Sequence, residues 1–169
     1  MPTSRDPCKQ ERMCVTTDER QNALSLMRAR HHRTCPVCGE NPNGLRAVFQ
    51  VRPDGAVEAE VVCGEDKEGY AGHLHGGIIA SLLDGAMTNC LFSHGVQAVT
   101  GELSIKLRLP IDANAAVIVR AWLQESLGPL YYMRSELQQK GRVAASGRAK
   151  FMKKTPTERT SEHRRGNGD

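Results

Sequence analysis

One carboxylate, Asp84, stands inside the run GGIIASLLDGAMTNCLF, which begins at Gly76. Wound as a helix, the run is apolar on nearly every side: Ile78, Ile79, Leu82, Leu83, Ala86, Cys90 and Leu91 cover most directions. Such a helix must be buried by its neighbours. An acid within it is costly unless something uses it. The rest of the chain therefore has to supply a surface that wraps this helix and a partner for Asp84.

The flanking sequence supplies strands. Leu45 to Arg52 and Ala56 to Cys63 read as a hairpin about the turn residues Pro53, Asp54 and Gly55. After the helix, predicted over His75 to His94, four strand-like runs follow: Ala98–Leu109, Ala115–Glu125, Leu130–Gln139 and Arg142–Met152, the last two about Lys140-Gly141. Strict alternation in the first of these runs puts Val99, Leu103, Ile105, Leu107 and Leu109 on one face. It puts Thr100, Glu102, Ser104, Lys106 and Arg108 on the other. A short helix capped by Thr17 or Asp18 and ending near Arg30, with Leu24, Leu26 and Met27 as its stripe, precedes a loop at 31–44. Residues 64–74 read as loop. The order implies an α+β fold in which a curved antiparallel sheet of five to six strands wraps one long central helix. The domain boundaries expected are a tail and short helix at 1–34, the core domain at 35–152 and an unstructured basic tail at 153–169.

Composition excludes several classes. At 169 residues the chain is long enough to bury a core without staples. No apolar run spans a bilayer, and the charged N-terminus MPTSRDPCKQERMC lacks a signal-peptide core, so a cytoplasmic, non-membrane protein is expected. The net charge of +4 comes largely from the two ends, without interleaved aromatics, which argues against nucleic acid. The six cysteines (Cys8, Cys14, Cys35, Cys38, Cys63 and Cys90) are expected to be reduced. Cys35 and Cys38 form a CxxC that could hold zinc with His31 or His32 and Cys63, but a single pair favours a plain loop turn with two thiols. No metal is expected at the candidate site. His73 and His94 are assigned to loop packing.

At the helix start, His75-Gly76-Gly77 offers unpaired amides and the positive end of the dipole, a setting suited to an oxyanion. Asp84 lies eight residues past Gly76, about 12 Å along the axis at 1.5 Å per residue. One small reacting group cannot reach both on one helix. If both act on one carbonyl, two chains must meet about a two-fold axis. Asp84 could instead serve structure by pairing with Thr88 or an arginine.

The segment HLHGGIIASLLDGAM resembles the signature of hotdog-fold acyl-CoA thioesterases of the PaaI-like group, with a His-Gly-Gly start and an acid seven residues after the second glycine. GYAG, VTGELSIKLRLP and CPVCGENPNGL resemble the family's adjoining segments, so the likeness covers roughly residues 35–152. The resemblance implies a hotdog fold and hydrolysis of an acyl-CoA thioester. It gives Asp84 the role of general base or nucleophile. It assigns the carbonyl-polarising amide to Gly76, with Gly77 beside it, loop fixing to His75 and water orientation to Thr100. Lys106 and Arg108 would meet the phosphates of coenzyme A. Several relatives carry Asn or Gln where this chain has Glu68 and Gly69, so either Glu68 takes that role or it is missing. Gly128 to Tyr131 would line the acyl or pantetheine channel. No cofactor is implied, coenzyme A being part of the substrate. The partners implied are acyl-CoA and further copies of the chain, as a homodimer or dimer of dimers. A non-catalytic acyl-CoA binder and a hotdog dehydratase are the competing readings. A pure binder needs no buried carboxylate, and the helix lacks the Asp–His pairing of a hydratase.

Overall fold

The computed structural model describes residues 15–154. The expected tails at 1–14 and 155–169, with Cys8 and Cys14, lie outside them. Helix α1 runs over Thr17–His31. Its cap is Thr16, one residue before the expected position, because Glu19 three residues on closes a reciprocal capping box with it. Leu24 is the buried residue of this helix, while Leu26 faces solvent, so the expected apolar stripe narrows to Leu24 and the half-buried Met27.

The first predicted strand shrinks to β1, Gln50–Val51. Arg46 adopts a positive φ of 52°, which interrupts the extended run. The Leu45 and Ala47 amides donate to the Pro36 and Val37 carbonyls rather than to a strand. Strand β2 is Val57–Val62. The segment read as loop holds a 3-10 turn, Glu65–Lys67, and a miniature hairpin of β3 (Glu68–Tyr70) and β4 (His73–Leu74). Helix α2 covers Gly76–Ser93. Strands β5 (Ala98–Leu107), β6 (Ala116–Leu127), β7 (Leu130–Gln139) and β8 (Arg142–Lys153) complete the chain close to their predicted bounds.

Six strands form one antiparallel sheet in the order β1-β2-β6-β7-β8-β5, open at both edges. Helix α2 lies across its inner face, with α1 on the other side of α2. The sheet gives the helix room by offering small side chains in β8: Ala145, Gly147 and Ala149 point inward, and a Cβ at Gly147 would meet Ser135 Oγ at 2.7 Å and Leu83 Cβ at 3.5 Å. Leu82, Leu83, Ala86, Met87 and Cys90 are accordingly wholly buried. No helix among the described residues is long and apolar enough to cross a membrane.

A second face of α2 receives the CPVCG loop. Gly85, Asn89 and Phe92, at i, i+4 and i+7, lie on one side of the helix. Val37 packs on Gly85, Cys38 on the Asn89 amide, and the His32 ring stands edge-on to Phe92, with centroids 4.8 Å apart. The contact at Gly85 is tight, since an added Cβ would sit 2.6 Å from Val37 Cγ1. Alanine in a helix interior normally gains about 1 kcal/mol over glycine. Here overpacking, which costs about 1–3 kcal/mol, should exceed that gain. Gly85→Ala is expected to lower the thermal midpoint, and Val37→Ala in the same chain should recover it, by calorimetry on the three proteins.

Candidate active site

Asp84 is half-buried at the middle of α2. Its partner is Thr100, whose Oγ1 donates to Asp84 Oδ1 at 2.8 Å. Strict alternation would turn Thr100 away from the helix, and the structure corrects that reading. The pairing of β5 with β8 slips between Thr100 and Glu102, leaving Gly101 as a bulge. Thr100 is thereby opposite the inward Phe151, in phase with Leu103 opposite Ala149. Glu102 faces outward and pairs with Lys150 at 2.6 Å. A glycine inside a strand pattern is the signal for such a bulge. Read that way, Gly101 would have placed Thr100 correctly.

The start of α2 is organised by His75, its N-cap. Gly77 N–H donates to His75 Nδ1 at 2.9 Å, placing the neutral ring's proton on Nε2. The Ile78 and Ile79 amides donate to the His75 carbonyl. Among the described residues this leaves the Gly76 N–H without an acceptor, at the positive end of the dipole. Gly77, predicted as a ligand contact, is spent on the cap. Glu68 sits in β3 opposite Leu74, its backbone N–H donating to the Glu65 carbonyl and its carboxylate without a hydrogen bond among the described residues; the neighbouring Gly69 packs against the His75 ring, 3.1 Å from the position of an added Cβ.

Gly76 opens onto an apolar cleft of about 590 Å³ lined by Tyr70, Leu74, Ile79, Leu107, Leu109 and Ile111. That volume suits a small-molecule site. Tyr70 and Ile111 were not singled out from the sequence; the aromatic inside the glycine loop GYAG is the feature that pointed there. Gly128 does not belong to this cleft but holds the positive-φ turn between β6 and β7. Lys106 lies on the outer face of the sheet, away from Asp84, in a basic hollow with Arg134 and Arg148. Arg108 lines both that hollow and the apolar cleft, and its Nη1 donates to Ser146 Oγ at 2.6 Å. The structure therefore joins Asp84 to Thr100, and His75 to Gly76 and Gly77, as two clusters, one at mid-helix beside the start of β5 and one at the N-terminus of α2. Within one chain they do not converge.

Residues 71–149 match the family model described as the thioesterase superfamily. The fold is the hotdog fold, and over this segment the chain is similar to the thioesterase superfamily. The chain is 32% identical over 85 residues to the acyl-coenzyme A thioesterase THEM4 of rat, and 34% over 71 residues to that of mouse. Those stretches cover 48% and 42% of this chain but 36% and 30% of the relatives, so the chain spans about a third of their length. The fold is also that of the PaaI protein of E. coli, with a TM-score of 0.70 at 16% identity, covering 83% of this chain and 96% of that one. A hypothetical thioesterase protein from Streptococcus pneumoniae solved with coenzyme A gives 0.59 at 19%, covering 63% and 87%.

The electrostatics of this hotdog site follow from burial. Desolvation pushes the Asp84 carboxyl above the usual carboxylate range, while the Thr100 hydrogen bond pulls it back. The Cys35 and His32 charges act on it in opposite senses. A raised acid binds its proton more readily folded than unfolded, so its ionisation opposes folding as pH rises through the folded value. Asp84→Asn should therefore raise the melting temperature at neutral pH, with the gain shrinking in acid. Carboxyl-carbon NMR should show Asp84 titrating above the ordinary range in wild type, and higher still in Thr100→Val.

Proposed function

We propose that this domain hydrolyses acyl-CoA thioesters to a free acid and coenzyme A. The observation that carries the reading is the Thr100–Asp84 hydrogen bond, which orients a half-buried carboxylate on a helix that otherwise buries only apolar and neutral groups. In this reading Asp84 takes a proton from water, whose oxygen adds to the thioester carbonyl. The alternative is direct attack by the carboxylate. Thr100 fixes the acting oxygen. Collapse of the tetrahedral adduct breaks the C–S bond, and the proton held on Asp84 passes to the leaving sulfur. The Gly76 N–H of a second chain receives the oxyanion. The names of the relatives and the coenzyme A held by the Streptococcus structure support the same chemistry.

The second chain is part of the proposal. Strand β5 is a sheet edge with free backbone groups, and its inward-pointing Leu103 and Leu107 are 39% and 55% exposed. An exposed apolar edge invites strand pairing. Antiparallel pairing of β5 with its own copy about a two-fold axis at Ser104, with Gly101 left as the bulge, sets Thr100 opposite Leu107. Leu107 lies against Gly76, where an added Cβ would be 3.3 Å from its Cδ1. One chain's Asp84 then meets the other's Gly76. The apolar cleft suits the acyl and pantetheine portions. Arg108, which joins that cleft to the basic hollow, and Lys106 suit the phosphates. The reading places the enzyme in the cytoplasm, where Cys35, Cys38, Cys63 and Cys90 stay free.

A thiol-release assay over short, medium and aryl acyl-CoA substrates tests this. Wild type should turn over at least one class, and Asp84→Asn should lose at least about a hundredfold. Full activity in that variant, or no turnover of any thioester by wild type, sinks the proposal. Sedimentation reads the assembly: a dimer or dimer of dimers agrees with a two-chain site, and an active monomer contradicts it.

A further inference from the structure

The CPVCG loop carries a second constellation that thioester hydrolysis does not use. His32, Cys35 and Cys38 present their ligand atoms within 4.8 Å of one another, and Cys38 Sγ lies 3.6 Å from His32 Nδ1. Two thiolates and an imidazole about a tetrahedral zinc, with Zn–S of about 2.3 Å and Zn–N of about 2.0–2.1 Å, stand roughly 3.5–3.8 Å apart. The Cys38–His32 edge already has that length, and a shift of about 1 Å brings in Cys35.

The surroundings hold the three donors in place. Val37 N–H donates to Cys35 Sγ at 3.4 Å, the outer hydrogen bond a metal thiolate takes. The turn is folded so tightly that a Cβ at Gly39 would strike Cys35 N at 2.5 Å and the His32 and Arg33 carbonyls at 2.6 Å. Cys35 N–H donates to the His32 carbonyl and Gly39 N–H to that of Cys35, so helix end and loop form one unit. The His32 ring is set by its edge contact with Phe92. Behind Cys38 lies Asn89, wholly buried, its Nδ2 donating to the Gly85 carbonyl at 2.8 Å and its Oδ1 without a partner among the described residues. Cys63 and His31, the other ligands the sequence suggested, are not in the group.

We propose that His32, Cys35 and Cys38 bind a zinc ion, which clasps the end of α1 to the loop docked on α2 beside Gly85. Two thiol protons leave on binding, and the two thiolates with a neutral imidazole balance the ion's charge. No fourth His, Cys, Asp or Glu joins the group among the described residues, so water takes the remaining position. The clasp stands on the opposite side of α2 from the sheet and involves none of the groups assigned to hydrolysis.

The test is metal analysis of the full chain, purified without chelator and without a histidine tag. Wild type and Cys63→Ser should each carry about one zinc per chain, and the Cys35→Ser/Cys38→Ser double variant less than about a tenth of that. Metal-free wild type titrated with cobalt(II) should develop a thiolate-to-metal charge-transfer band and the visible bands of a tetrahedral ion. That spectrum decides the matter even if the double variant fails to fold. Wild type isolated without zinc and giving no such bands overturns the proposal, whether its Cys35–Cys38 pair is reduced or joined as a disulfide. Zinc retained by the double variant overturns the ligand assignment equally.

Discussion

The structure turns on the contact between Asp84 and Thr100. A carboxylate on the central helix of a wrapped sheet has few places to go, because the buried positions of β2, β6, β7 and β8 are apolar or small except Ser135 and Gln139. It is β5, one of the two open edges, that brings a hydroxyl to it, bonding one carboxylate oxygen. It does so through one inserted residue. Without the bulge at Gly101, Thr100 would share the outer face with Glu102 and Lys150, and Asp84 would lose the hydroxyl that bonds it. The bulge thus converts an expensive acid into an oriented one.

The same economy of space recurs around α2. Gly147 lets the helix settle against the sheet, and Gly85 lets the CPVCG loop settle against the helix. At both positions a neighbouring side chain, Ser135 at Gly147 and Val37 at Gly85, comes too close for a Cβ. The helix is held from both sides, so the register between Asp84 and Thr100 is fixed by packing on two faces of α2. The N-terminal end of α2 is arranged with equal care: His75 takes up the Gly77 amide with its ring and the next two with its carbonyl, and leaves the Gly76 amide over.

Much of this could be read from the residues. The six-strand order, the bounds of α2 and the β-branched and alternating runs of β5 to β8 follow from period and turn chemistry, because long, regular patterns dominate their local alternatives. Shorter elements did not follow. The 45–52 run lost most of its strand because Leu45 and Ala47 bond to the cysteine loop, a tertiary contact that no local pattern encodes. Leu26 turned outward because α1 buries only a narrow face. At the site, Asp84, Gly76 and His75 were evident from their setting, whereas Thr100 was assigned to the wrong face because alternation was carried through a glycine. The grouping of His32 with Cys35 and Cys38, rather than His31 and Cys63, depends on the helix end and loop turn meeting in space.

The central claim is that one chain's carboxylate works with the other's amide, and mixed dimers test it directly. Gly76→Pro removes the proposed donor while respecting the helix, since proline is accepted at the first helical position and His75 already has the extended ψ of 135° that a following proline requires. Gly76→Pro and Asp84→Asn homodimers should each be nearly inactive. A purified dimer with one chain of each contains one intact site and one doubly defective one, and should recover roughly half the wild-type rate. Mixed dimers as inactive as their parents would contradict the two-chain site.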